Sequence, residues 1–371
     1  MSDVFSTIGD GLWNAFLMAW EVWWALVFGF AISAIVQAWV PRRRIESALS
    51  GSGVGSLARA TGLGAASSSC SYAAIAIAKS LFQKGASASS ALAFQFASTN
   101  LVWELGLVLW VLIGWQFTLA EFVGGVIMIA LMAVLLRRFV SPRLEERARE
   151  HAQHAQAGHH HHSAGVERPL RERLSSPAAW SDVGHNFRHD WGMLWKEILI
   201  GFLLAGFIGL LGDDFWNGLF LTGAPDAWQT LWSAIVGPLI AVLSFVCSVG
   251  NVPLAAVLWA GGMSFAGVMA FIFADLIVLP IVIAYRKYYG LAFALRITAL
   301  MFVAMVLAAL AVDVLFSAAG LIPDTRPSSS DIFGSVQLDY KLVLNVVATA
   351  VFAALFAVTM AADREAIAGH A

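Results

Sequence analysis

The sequence predicts an all-α polytopic membrane protein made of two inverted-topology repeats. Each repeat holds a broken, re-entrant helical hairpin, giving about 8–10 membrane segments in all. Three observations predict this. First, 59% of the 371 residues are hydrophobic and only 12% are charged, against about 25% charged in a soluble domain. The apolar runs are continuous rather than alternating, which argues against a β-barrel. Second, the chain is internally duplicated. Its two cysteines, Cys70 and Cys247, are 177 residues apart, and at that offset ten of the 28 pairs over positions 70–97 are identical. They include Ser71/Ser248, Gly85/Gly262, Ser87/Ser264, Phe94/Phe271 and Phe96/Phe273, and the same offset pairs Gly29-Phe30 with Gly206-Phe207. Third, the basic clusters fall where two oppositely oriented repeats need them.

In order, Trp13 to Val40 reads as the first span, stopped by Pro41 and the cytoplasmic triplet Arg42-Arg43-Arg44. Met1 to Leu12 lacks the basic start of a signal peptide, so this run is expected to be retained. Ile45 to Gly55 reads as interfacial, and Ala86–Trp115 and Phe117–Leu136 read as two spans. Arg137, Arg138 and Arg143 then open a second cytoplasmic segment. An even number of crossings must join the two basic clusters, so Leu57–Lys84 must enter and leave on one side. A straight helix of that length would be about 42 Å long, longer than the ~30 Å hydrocarbon core. Two half-helices meeting near Cys70 fit better, with Ser67-Ser68-Ser69 able to cap the second. A single tilted helix is the rival reading.

The second half follows the same plan from the opposite side. Trp191–Leu211 is a span, Gly212–Asp226 a loop, Ala227–Gly262 the second hairpin, and Ser264–Tyr285 and Leu291–Phe316 further spans. Tyr340–Ala361 is a last span without a counterpart. The resulting divisions are a first transmembrane repeat (1–140), a cytoplasmic His-rich charged loop (141–190), a second repeat (191–320), and an extracytoplasmic loop with the final helix (321–371). The amino terminus is expected outside and loop 141–190 in the cytoplasm of a bacterial-type inner membrane.

Candidate chemistry concentrates at the two hairpin turns. Membrane cysteine is often a small packing residue, but under an inverted two-fold Cys70 and Cys247 would face each other and form a soft site for a thiophilic solute. Ser71, Ser248, Gly250 and Asn251 stand where half-helix starts leave backbone N–H groups free. Gly250 offers the positive φ of a break, and Pro253 suits a first helical turn. Mid-span, Glu104 (one turn after Asn100) and Asp275 are candidates for proton coupling, because a carboxyl at the bilayer centre costs about 2.5–3.5 kcal/mol and faces a cavity or partner. Glu21, Glu121, Glu197, Arg296 and Asp313 read as span-end or structurally paired groups, and Lys79 as a snorkelling one. His159, His160, His161 and His162 form a weak candidate site for divalent metal in a loop of solvated composition. No phosphate loop, metalloprotease helix or nucleophile elbow is present, so neither an enzyme nor a cofactor is expected.

At Ser69-Cys70-Ser71, Lys84-Gly85-Ala86-Ser87, Ala91-Leu92-Ala93-Phe94 and Cys247-Ser248-Val249-Gly250-Asn251-Val252-Pro253-Leu254-Ala255 the chain resembles the predicted-permease family that includes the organoarsenical efflux permeases (ArsP-like). With the long charged central loop, the resemblance covers most of the chain. It implies an inner-membrane permease of about eight spans and, through its characterised members, efflux of a trivalent organoarsenical. Many members carry Cys-Ser-Cys in the first hairpin, whereas this chain has Ser68 at the earlier position. The expected partners are a small-molecule or ion substrate and the lipid bilayer, with no nucleic acid and with a homo-oligomer left open. The alternatives are an anion permease using the half-helix ends, a divalent-metal permease using the His loop, and a membrane subunit that transports nothing alone.

Overall fold

Within a bilayer the backbone must satisfy its own polar groups, and the continuous apolar runs do so as helices. The computed structural model describes residues 2–39, 53–67, 71–83, 85–154, 177–211, 213–244, 248–326 and 340–368. In the first half the helices are α1 (Ser2–Trp39), α2 (Val54–Ser67), α3 (Ser71–Gln83), α4 (Ala88–Asn100), α5 (Trp103–Leu112), α6 (Trp115–Phe139) and α7 (Pro142–His154). Then come α8 (Pro177–Ile208), α9 (Asp213–Phe220), α10 (Asp226–Ser244), α11 (Ser248–Ala260), α12 (Phe265–Phe273), a 3-10 turn (Ala274–Ile277), α13 (Leu279–Tyr289), α14 (Leu291–Ala318) and α15 (Tyr340–Ala368).

Helices lie on both sides of each expected hairpin turn: α2 and α3 in the first half, and α10 and α11 in the second. Ser68, Ser69 and Cys70, like Cys247, lie outside the described residues, as do Arg42–Arg44 and His159–His162. The Ser67 hydroxyl donates to the Gly64 carbonyl at the end of α2.

Two further breaks fall where the sequence suggested unbroken spans. Ala86–Trp115 divides into α4 and α5, bent by 42°, and Ser264–Tyr285 divides at the 3-10 turn with a 40° bend. The first break follows a run of polar side chains that bond back to the helix carbonyls. Ser98 and Thr99 donate to Gln95 O, and Asn100 donates to Phe96 O. Such bonds compete with the helical ladder and terminate it. At the second break Pro280, in the first turn of α13, has no N–H to continue the ladder.

Among the described residues, five helices can cross a membrane by length and composition, or up to seven if each bent pair counts as one span. This is fewer than the expected 8–10 segments; the half-helices α2, α3 and α11 are too short to count as spans. The charged segment after residue 141 is also less open than its composition suggests. Ser141 caps α7, whose Ala148 and Ala152 are buried, and α8 begins at Pro177 rather than near Trp191.

The 177-residue offset seen in sequence recurs in geometry. Gly85 and Gly262 have φ of 98° and 97°, a conformation that favours glycine. The next cap is also repeated: Ser87 Oγ accepts from Ser90 N and Ser264 Oγ accepts from Gly267 N. Arg149 donates to Phe82 O and Ala86 O with its guanidinium over the Phe82 ring. At the same offset, Arg326 donates to Trp259 O and Met263 O with its guanidinium over the Trp259 ring. Each arginine thus closes the turn after the second hairpin helix of its half.

Two repeat-related pairs, α1 with α8 and α6 with α14, run antiparallel. Gly11 meets Phe207 and Phe30 meets Trp191, so partners recede along α8 as α1 advances. Arg296 at the start of α14 donates to Phe139 O at the end of α6, and Gly124 meets Val312. The α3–α4 turn is held by α7, beyond the end of α6, and the α11–α12 turn by Arg326, beyond the end of α14. The two turns therefore lie at opposite ends of the molecule. Outside this scheme, α15 packs on α1 and α8. Its buried Asn345 accepts from Trp24 N and donates to Trp20 O, bridging one rung of the α1 ladder, and Lys341 pairs with Glu21.

Candidate functional site

Two half-helices and one bent span converge on a single carboxylate. Ser71 is the first residue of α3 and Ser248 the first of α11; Asp275 sits on the 3-10 turn of the broken span. Ser71 Oγ donates to Asp275 Oδ2 at 3.2 Å and Ser248 Oγ donates to the same oxygen at 2.5 Å. The repeat-related hydroxyls therefore lie within about 6 Å of each other. Asp275 is fully buried, as a polar group in a regular span would not be without partners. The 3-10 turn places it there, and the residue that follows each cysteine in the chain meets it.

Magnitudes explain why this carboxylate is tolerated. A carboxylate at the bilayer centre costs about 2.5–3.5 kcal/mol. A hydrogen bond to a charged group contributes about 1.5–3 kcal/mol, so the two serines offset most or all of that cost. The N-termini of α3 and α11 add their positive dipole ends.

A second layer surrounds this centre. Thr99 and Asn100 at the end of α4 lie close enough to interact with Asp275. Asn100 is fully buried; its Nδ2 donates to Phe96 O, and its Oδ1 has no hydrogen-bond partner among the described residues. Glu121 on α6 is fully buried and within Coulombic range of Asp275. Backbone packing fixes its placement. One turn further along the same face, Gly124 backs onto Phe273 and Gly125 onto Leu101 and Asn100. Neither oxygen of Glu121 has a hydrogen-bond partner among the described residues. Beneath these groups Gln95 Nε2 donates to Tyr285 OH at 2.5 Å, and both residues are buried.

The remaining sequence candidates are spread around this centre. Asn251 is buried, and its Oδ1 accepts from Ser244 Oγ at 3.2 Å, tying the two arms of the second hairpin together. Gly250 does not supply a positive φ; it is helical, and its role is close approach. A Cβ at Gly201 of α8 would lie 2.2 Å from Gly250 O. Pro253 is the sixth residue of α11, past the first turn, because the helix already begins at Ser248. Glu104 is not in mid-helix and is separated from Asn100 by the 42° bend. It occupies the first turn of α5, where a Cβ on Gly29 would come within 2.7 Å of its own Cβ. Lys79 lies over the Tyr288 ring, 4.6 Å from its centroid. Among the described residues no group of three His, Cys, Asp or Glu side chains is placed to share a metal ion.

Sequence reasoning put Glu121 with the span-end groups, because it lies only six residues into its helix. The available signal was its place inside a 25-residue apolar helix with no other charge before the last turn. The Gln95–Tyr285 pair had no sequence signal, since the two residues are 190 positions apart.

A family model described as a predicted permease, ArsP_1, matches residues 14–314. The chain is also 46% identical over 303 residues to the Mycobacterium tuberculosis protein named "Putative permease Rv2963", covering 80% of this chain and 74% of that one. No solved structure matches it.

Proposed function

The chain belongs to the predicted permease family, a multi-pass membrane transporter family, and from that premise we propose that it is an inner-membrane secondary transporter that exports a small thiophilic solute. A trivalent organoarsenical such as methylarsenite is the solute we name. The observation that carries this reading is the meeting of Ser71 and Ser248 on one oxygen of Asp275. It joins the residues that follow Cys70 and Cys247 at the core of the bundle, where a site for a thiol-seeking solute needs them.

In this reading the halves are inverted-topology repeats. The antiparallel packing of α1 with α8 and of α6 with α14 supports that, as does the placement of the two hairpin turns at opposite ends. The amino terminus is then outside and segment 141–190 cytoplasmic, as Arg137, Arg138 and Arg143 ask. Cys70 and Cys247 contact the solute; Ser71, Ser248, Gly250 and Asn251 shape the site. Asp275 carries the coupling proton, and Glu104 is the second coupling candidate. An anionic substrate is disfavoured by the same geometry, because the anion that the two half-helix starts attract is Asp275 itself.

The test is uptake of methylarsenite into everted vesicles by the wild type, Cys70→Ser and Cys247→Ser. Accumulation by the wild type alone, with both variants folded, is the expected result. Accumulation by all three moves the solute off the cysteines, and no accumulation by the wild type sinks the arsenical reading.

A further inference from the structure

We propose that Asp275, Glu121 and Asn100 form a binding site for the coupling cation, sodium or a proton, adjoining the solute site at Ser71 and Ser248. The inference rests on the transporter reading above and deepens it. Two fully buried carboxylates lie within Coulombic range of each other in the bundle core. Among the described residues, neither forms an ion pair with a Lys, Arg or His side chain. The groups facing Asp275 are Ser71 on α3, Thr99 and Asn100 on α4, Glu121 on α6, Ser248 on α11 and Tyr285 on α13. None of these is cationic. On α14, Arg296 is directed to Phe139 O and Asp313 to Ala266 N, so neither serves the pair.

The balance of donors and acceptors points the same way. Asp275 Oδ1, both oxygens of Glu121 and Asn100 Oδ1 are buried acceptors without a hydrogen-bond donor among the described residues. The two serines supply donors to Asp275 Oδ2 alone. Four unserved acceptor oxygens around two negative charges are a ligand set for a hard cation or for protons, both of which oxygen donors favour.

The site also has a mechanical output. Ser71 and Ser248 hold the starts of both hairpin half-helices to Asp275 Oδ2 through charge-assisted bonds. A cation or proton on Asp275 withdraws charge from that oxygen and weakens both bonds together. Occupancy of the cation site thereby frees the two helices whose first residues follow Cys70 and Cys247 in the chain.

The experiment measures cation binding by the purified full chain without solute. One arm is equilibrium binding of radioactive sodium at constant ionic strength. The other is a potentiometric titration between about pH 5 and pH 9, taken as the difference between wild type and the Asp275→Asn/Glu121→Gln double variant. Saturable binding of about one sodium per chain, weakened at least tenfold by Asp275→Asn or Glu121→Gln, supports a sodium site. No sodium binding, with about one or more protons taken up by wild type and not by the double variant, supports a proton site. Neither signal in wild type, or sodium binding that survives both single variants, overturns the inference. Asp275→Glu controls for folding, because it keeps the carboxylate and should retain the signal. A chain that exports solute but binds neither cation overturns this inference alone. A chain that binds a cation but moves no solute overturns the transporter reading alone.

Discussion

Ser71 and Ser248 share an acceptor but not equally, since the bond from Ser248 is 0.7 Å shorter. Ser248→Ala should therefore cost more stability than Ser71→Ala, about 1.5–3 kcal/mol for a lost hydrogen bond to a charged group. Thermal unfolding of the two variants in detergent checks this, and an equal or reversed order would refute the assignment. A second residue-scale expectation concerns Gly201. Its missing Cβ would sit 2.2 Å from the Gly250 carbonyl oxygen, and backbone cannot swing aside as a side chain can. Gly201→Ala should force α8 from α11 and destabilise by about 1–3 kcal/mol or more, whereas Gly192→Ala, with open space around it, should be near neutral. At this scale the sequence singled out Asp275, because a lone carboxylate in an apolar run is conspicuous. It marked Ser71 and Ser248 through the duplication. It did not reveal that all three meet, since 204 residues separate Ser71 from Asp275 and no local pattern encodes that contact.

Among the helices, the expected hairpins rest on charge parity and length, which are properties of whole segments, and the bent spans had no such signal. The bend after Asn100 depends on Ser98, Thr99 and Asn100 turning their side chains back onto the helix, and those residues also occur in unbroken helices. The arginine clamps escaped notice because Arg149 and Arg326 lie in segments that read as loops. Each clamp should be locally testable. Arg149→Ala is expected to raise amide exchange several-fold at residues 85–88 and leave 262–266 unchanged, and Arg326→Ala to do the reverse. Exchange that rises equally at both turns would mean that the arginines stabilise the whole bundle rather than their own turns.

For the whole molecule, the repeats can be tested by labelling. With Cys70 and Cys247 replaced by serine, Glu146→Cys on exposed α7 and Asp324→Cys in the exposed segment after α14 each provide one thiol. A membrane-impermeant maleimide should reach Glu146→Cys only in everted vesicles and Asp324→Cys only in right-side-out ones. Labelling of both from one side would refute inverted topology. The two clamps match in register yet differ in attachment. The first borrows its arginine and Glu145 from α7, a helix separate from the spans; Glu145 accepts from Ala88 N and pairs with Arg149, while Gln83 reaches Ala152 O. The second half has Ile322 at the position of Glu145, and the carboxylate serving its turn, Asp313, is built into α14 itself. Among the described residues, the first turn therefore has a handle and the second has none. Lifting α7 would release three fastenings of that turn at once, together with the contact of His151 to Lys287 O on α13. One face of the carrier is thus addressable by whatever engages its central segment, while the opposite face answers only to the bundle.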